Sequence, residues 1–190
     1  RKMKYKINKG DGALYGPKID FHIKDSLGRT WQCATVQVDF MMPERFDVSY
    51  VGEDNKPHKP VIIHRVIYGA IERFLGILVE HYKGAFPLWL SPTQVRVLAI
   101  TDKNNKTVEK TVDKLLEQGI RADTDSRQTT IDYRVREAEV QKIPLILVIG
   151  DKEEKNKTVA VRTHGKKRVE YGVKLDDFTK RVKEQIEKKK

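Results

Sequence analysis

Cysteine is nearly absent: Cys33 is the single one among 190 residues, so no intramolecular disulfide framework exists. That usage fits a reducing, cytoplasmic setting. Long apolar runs are missing too. Nothing approaches the ~20 residues of a membrane span, and no signal peptide is visible, so no membrane partner is expected. The 12 glycines never form Gly-x-Gly-x-x-Gly after a strand, and there is no Walker loop. No Ser/His/Asp set suggests hydrolytic chemistry. The chain starts Arg1-Lys-Met-Lys without an initiator Met, and is expected to be part of something longer.

Acidic residues are the minority. Asp and Glu number 27 against 38 Lys and Arg, a net charge of +11. Residues 1–90 hold 14 Lys/Arg against 10 Asp/Glu, and residues 91–190 hold 24 against 17. Such an excess favours a polyanionic partner through phosphate contacts and counterion release. A Lys-rich soluble surface is the plain alternative.

Residues 1–90 read as antiparallel sheet. Ile19-Asp-Phe-His-Ile23 alternates, Asp25-Ser-Leu-Gly28 is a hairpin turn, and Thr30 to Phe40 is a long second strand that Met42-Pro43 breaks. A short strand at 48–51, a charged loop at 53–59 and a strand at 61–64 follow, and a helix is predicted over 66–82. On that helix Gly69 and Arg73 would share one face, while Ile67, Ile71, Phe74, Leu75, Leu78 and Tyr82 would face a core. The stretch Gly84-Ala-Phe-Pro87-Leu-Trp89-Leu-Ser-Pro92 marks a junction, so the domains are expected at 1–90 and 91–190.

Beyond it the period changes. Strands are predicted at 94–100, 120–123, 145–149 and 158–162, and helices at 107–118, 131–141 and 175–187. This alternation argues an α/β layer with a mainly parallel or mixed sheet. The fold class is therefore two-domain, a partial antiparallel α+β unit followed by an α/β domain.

Four blocks carry a resemblance. They are Gly10-Asp-Gly-Ala-Leu-Tyr15-Gly-Pro-Lys18, Trp31-Gln32-Cys33-Ala-Thr35-Val-Gln37-Val-Asp39-Phe40, Tyr50-Val-Gly-Glu-Asp-Asn and Gly150-Asp-Lys-Glu153, and the run Val61-Ile-Ile-His64 through Gly69 to Arg73 lies among them. In that order they resemble the threonyl-tRNA synthetases, a family of class II aminoacyl-tRNA synthetases. The resemblance implies ATP-dependent activation of threonine and its transfer to threonine tRNA, with Mg2+ accompanying ATP and one Zn2+ in the catalytic domain. It implies the C-terminal part of a class II catalytic domain in residues 1–90, an anticodon-binding domain in residues 91–190, and a homodimer in the full enzyme.

By the same resemblance, Arg73 binds ATP and Lys18 lies close to the reacting groups. Tyr15 and Gln37 contact threonine, and Gln32 contacts ATP. His64 is one of three protein ligands to zinc, whose open positions take the amino and hydroxyl groups of threonine. A metal that must be satisfied by a hydroxyl rejects valine, which a purely steric pocket does poorly. The other two ligands are expected upstream of Arg1. Gln128, Glu153 and Arg162 match positions that read the anticodon, although the family has asparagine where Gln128 stands. A segment of this extent is expected to be inactive alone.

Read bottom-up, Gly10, Gly12 and Gly16-Pro17 make a tight turn that presents Tyr15 and Lys18 at the mouth of the sheet. Gln32 and Gln37 are five apart and point to opposite faces unless a bulge lies between them. Cys33 reads as a small buried thiol. Lys166-Lys167-Arg168 and Arg134/Arg136 read as solvated faces. Two alternatives stay open: another class II synthetase with the same second domain, such as prolyl, and a non-catalytic RNA-binding paralogue.

Overall fold

The computed structural model describes residues 4–189. The chain divides after His81 into two compact units. The first contains β1 (Lys18–Lys24), β2 (Thr30–Asp39), α1 (Met41–Arg45), β3 (Tyr50–Val51), β4 (Pro57–His58), β5 (Ile62–Val66) and α2 (Ile71–Tyr82). Its sheet has the order β1-β2-β5 with every pair antiparallel, and β3 and β4 form a separate two-stranded ribbon. β2 ends at Asp39, just before Met42-Pro43 as expected, and Pro43 then falls inside a short helix. It sits in the first turn of α1, where a missing N–H breaks no helical bond.

The predicted helix over 66–82 is shorter than its periodicity. β5 runs on to Val66, and the helix begins only at Ile71. Gly69 is the cause. Its φ of +67° is left-handed, which no helix passes through, and a Cβ there would lie 2.8 Å from the Cys33 carbonyl oxygen. Gly69 and Arg73 therefore do not share a helical face. Nor does the predicted apolar stripe face a core within this unit. Among the residues of α2 only Ile77 is buried, and Ile71, Leu75 and Val79 are exposed.

The second unit contains β6 (Val95–Ala99), a 3-10 turn over Asp102–Asn104, α3 (Asn105–Glu117), β7 (Ala122–Thr124), α4 (Ile131–Val140), β8 (Leu145–Ile149), α5 (Asp151–Asn156), β9 (Thr158–Thr163), β10 (Val169–Lys174) and α6 (Leu175–Glu187). The sheet order is β10-β9-β8-β6-β7; β6 is parallel to both β7 and β8, and the remaining pairs are antiparallel. This is the mixed sheet that alternation of strands and helices predicted. One face packs Val97, Leu147 and Val161 against Val108 and Leu115 of α3 and Phe178 and Val182 of α6. The other packs Leu98 and Ile146 against Ala138 of α4. α5 has six residues and no apolar period, and β10 is interrupted by Gly172 at φ +69°, so the sequence pattern marks neither.

The connector differs from the boundary expected at 90/91, because residues 82–90 pack with the second unit. Leu88 enters its core. Buried Gln94 donates from Nε2 to Leu88 O at 2.8 Å and accepts from Arg121 N at 2.9 Å. The Arg121 guanidinium donates to Ser91 O and Trp89 O. No helix among the described residues is long and apolar enough to cross a membrane.

Two glycines separate backbone strain from steric contact. Gly28 has φ +81° and open space for 4 Å around the position a Cβ would take, whereas Gly69 faces a backbone carbonyl that cannot swing aside. Gly28→Ala is expected to cost about 1–2 kcal/mol for left-handed backbone alone, and Gly69→Ala about 1–3 kcal/mol more for the conflict. Urea unfolding followed by circular dichroism measures both, and equal losses would contradict the contact.

Candidate functional site

The polar residues of the first unit are gathered by register. Lys18 pairs with Gln37, Asp20 with Thr35, Phe21 with Ala34, and then His22 with Gln32, so Cys33 is an extra, bulged residue. A strand alternates faces with period two, and one inserted residue reverses the parity of everything beyond it. Gln32 is thereby returned to the face of Thr35 and Gln37. His64 joins them as the cross-strand partner of Gln37 on β5. Cys33 itself is buried and free.

Tyr15 arrives from the preceding turn. Gly16 N–H donates to Ala13 O, and Phe40 N–H donates to Tyr15 O at 3.1 Å, which pins the turn beside the end of β2. A Cβ on Gly16 would stand 2.1 Å from Val38 O, so no other residue fits. The Tyr15 hydroxyl then donates to Gln37 Oε1 at 2.5 Å, and its ring lies 5.5 Å from that of His64.

Two carboxylates that sequence reasoning missed organise this face. Asp20 accepts from Gln32 Nε2 at 2.7 Å, from the Thr35 hydroxyl at 2.6 Å and from Lys18 Nζ at 3.0 Å. The Thr35 bond holds Asp20 below its ordinary value, partial burial opposes it, and Lys18 assists. The bond to Asp20 in turn raises Lys18. Asp39 is buried at the end of β2. Its Oδ1 accepts from Met41 N and Met42 N, each at 2.9 Å, and its Oδ2 lies 2.8 Å from His64 Nε2. Burial opposes its ionisation, but the bonds from Met42 N, His64 and Met41 N together hold it below the ordinary carboxylate value. The signal in the sequence is the alternation itself: even positions on β1 and odd positions late on β2 share one face.

Arg73 is placed differently. Its guanidinium carbon lies 5.9 Å from the Trp31 ring centre, and its Nη1 is 3.5 Å from Gln32 O, the outer limit of a hydrogen bond. Trp31 pairs with Ile23, on the face opposite Gln32 and Gln37. Arg73 and His64 are thus not brought onto one face. Along the strand, the five-residue step from Gln32 to Gln37, the partner of His64, adds a separation of roughly 15 Å. A cation–π contact is worth about 0.5–1 kcal/mol at an exposed site, enough to bias Arg73 but not to lock it. Trp31 is itself fixed, because Nε1–H donates to buried Asp25 at 2.8 Å while Arg29 stacks at 5.5 Å and reaches Glu80 of α2.

The second set is dispersed. Gln128 is exposed in the loop after β7, and Glu153 lies in the first turn of α5, beyond the carboxyl end of β8. Arg162 on β9 pairs with Ile146, near the other end of β8. Glu153 accepts from Gly150 N–H at 3.1 Å, which gives it a helix-capping role. Among the described residues no hydrogen bond or ion pair joins Gln128, Glu153 and Arg162. Arg134 is not a solvated cation: it is buried and donates to Asp125 O and Ala99 O. Nor do the described residues bring together a group of three His, Cys, Asp or Glu suited to a metal.

Comparisons with known proteins match this layout. Residues 2–82 match the "tRNA synthetase class II core domain (G, H, P, S and T)", and residues 94–185 match the "Anticodon binding domain". The chain is 55% identical over 189 residues to a threonine–tRNA ligase of Desulforamulus reducens, covering 100% of this chain and 30% of that protein. It is 58% identical over 165 residues to one of Carboxydothermus hydrogenoformans, covering 87% of this chain and 26% of the relative. A crystal structure described as the RNA binding domain of threonyl-tRNA synthetase from Cryptosporidium parvum Iowa II superposes with a TM-score of 0.82 at 36% identity, over 96% of this chain and 46% of that one. The chain spans about 30% of the length of the curated relatives it matches.

The support beneath Arg73 is open to a pH test. Burial opposes ionisation of Asp25, but the bonds from Trp31, the Arg29 side chain and the Arg29 and Leu27 amides outweigh it, and its pKa falls to about 2. A lowered folded-state value means that ionised Asp25 stabilises the fold. That stabilisation is complete above the unfolded value near ~3.9 and is lost as pH falls through about 2. The Trp31 indole N–H resonance is therefore expected to hold its neutral-pH position down to about pH 3 and then move. A midpoint near 4 would contradict the bond set.

Proposed function

The chain belongs to the class II tRNA synthetases, as a core-domain segment of threonine–tRNA ligase type followed by an anticodon binding domain, and on that premise we propose that the full protein joins threonine to its tRNA through a threonyl-adenylate. The observation that carries this reading is the single polar face on which Tyr15, Lys18, Gln32, Gln37 and His64 converge, held by Asp20 and Asp39. The first unit contributes this face to the catalytic site, and the second binds the anticodon.

Adenylation is attack of the threonine carboxylate on the α-phosphate of ATP, with pyrophosphate leaving. It is catalysed chiefly by positioning and charge neutralisation. Lys18 supplies a cation fixed by Asp20, next to the amide of Gln37 and the hydroxyl of Tyr15. Those two, already hydrogen-bonded, offer an ordered donor and acceptor to an amino acid. At the other end, Gln32 and Arg73 face the nucleotide. Arg73, only weakly stacked on Trp31, would be free to meet ATP, and Mg2+, when bound, would share the charge of the phosphates.

His64 fits a metal ligand, because a carboxylate stands behind one ring nitrogen while the other has no hydrogen-bond partner among the described residues. It is the one zinc ligand this chain contributes. Zinc, when bound, supplies a Lewis acid that distinguishes a hydroxyl from a methyl group.

In the second domain, unstacked anticodon bases expose Watson–Crick edges that an amide, a carboxylate and a guanidinium can read, the roles of Gln128, Glu153 and Arg162. The overall charge of +11 supports phosphate contacts beside them.

Threonine-dependent ATP–pyrophosphate exchange tests the first half. The full-length protein is expected to catalyse it and the 190-residue chain alone is not. Arg73→Ala in the full protein is expected to lower kcat/KM by about 100- to 1,000-fold. A prolyl-specific exchange, or none at all in the full protein, would overturn the reading. For the second half, anticodon stem-loop binding by the 190-residue chain is expected to weaken by about 1–3 kcal/mol in Arg162→Ala. Glu153→Gln keeps the acceptor for Gly150 N–H and is expected to relax discrimination between anticodons without unfolding α5. Unchanged binding in both variants would remove those residues from the reader.

A further inference from the structure

Asp39 uses its two oxygens for two different tasks. Oδ1 accepts from Met41 N and Met42 N, each at 2.9 Å, and so is fixed by the first turn of α1. Oδ2 is left to point at His64 Nε2, 2.8 Å away. The Asp39 side chain is 1% exposed and that of His64 45% exposed, so the imidazole is anchored on its inner edge and open on its outer one. An ionised carboxylate only accepts, hence Nε2 carries the hydrogen. In neutral His64 the electron pair then lies on Nδ1, which has no hydrogen-bond partner among the described residues. The Tyr15 ring, 5.5 Å away and tethered to Gln37, limits how the imidazole turns.

We infer that Asp39 is a positioning residue that selects the Nε2–H tautomer of His64 and leaves Nδ1 as the nitrogen able to bind a metal. This rests on the zinc reading given above and deepens it, since it says which atom of His64 is the ligand and what fixes it. A metal-ligating histidine commonly donates its other N–H to such a partner, and loss of that partner typically lowers metal affinity by about 10- to 100-fold.

The substitution Asp39→Asn sharpens the test, because it reverses the instruction rather than removing it. The asparagine carbonyl takes over the two backbone N–H groups, so its NH2 is aimed at His64 Nε2. A donor there forces Nε2 to accept and moves the hydrogen to Nδ1. Long-range proton–nitrogen NMR of the 15N-labelled chain at neutral pH reads this directly. The unsubstituted chain is expected to show protonated Nε2 and bare Nδ1. The Asp39→Asn chain is expected to show the opposite tautomer, with the Met41 and Met42 amides unmoved. In the full-length protein, competition with a chelator is expected to show zinc held about 10- to 100-fold more weakly by Asp39→Asn. A protonated Nδ1 in the unsubstituted chain overturns the inference, as does an unchanged tautomer and zinc affinity in the variant. The two failures separate: a full-length protein that takes up no zinc, with the tautomers as expected, removes the metal reading alone.

Discussion

The close approach of Gly69 to the carbonyl of Cys33 sets the geometry of the first unit. Cys33 is the residue that has no partner on β1, and its carbonyl fills the space a Cβ on residue 69 would need. The extra residue reverses the parity of β2, which brings Gln32 round to Asp20 and aligns it with Thr35 and Gln37. The left-handed turn at Gly69 ends the extended run of β5 and delays α2 until Ile71. That delay decides where Arg73 emerges. One packing contact therefore fixes both which side chains share the polar face and where the guanidinium begins.

Around that contact, order comes from buried acceptors more than from a core. Asp25 and Asp39 are the buried charged groups among the described residues of the first unit, and each is saturated with donors. Burying a carboxylate is costly unless every lone pair is met, and here the donors win: both groups are held below the ordinary carboxylate value. Their placement is also complementary. Asp25 steadies Trp31 and hence the rest position of Arg73, while Asp39 steadies His64. Arg73 and His64, on different faces, are tuned by the same device, an internal anion that orients a neighbour without itself meeting solvent.

Much of this is legible in the chain. Alternation marks β1 and β2, the apolar run marks β8, and the change of period marks the second unit. The need for a bulge between Gln32 and Gln37 follows from counting to five. Other features are hidden for physical reasons. Helical spacing across 66–82 is real, but it is blind to φ, and Gly69 shows its conformation only through what it packs against. The turn chemistry of Asp25 resembles an ordinary hairpin; its role under Trp31 depends on a contact six residues away that periodicity does not encode. Asp20 and Asp39 look like solvent-facing strand residues, because a sequence does not say which face is wet. The connector misleads in its own way, since prolines mark a break in helix, not the edge of a packing unit. Gln94 and Arg121 claim residues 88–91 by hydrogen bonds to backbone carbonyls, which leave no pattern.

The two units are stabilised in different ways. The second has opposed apolar clusters on both faces of its sheet and keeps Val95, Val97, Leu98, Leu115 and Ile146 fully inside. Such a scaffold holds side chains on its loops and strand faces in place without help. The first buries only Cys33, Pro43 and Ile77 among its described apolar residues, while Ile19, Phe21, Ile63 and Leu75 remain open. Its polar face is therefore held by directional bonds in a partly wet setting. Covering that surface, whether by bound ligand or by further protein, lowers the local dielectric and strengthens the bonds already in place. A face built in this way is ordered by its own directional bonds before anything covers it.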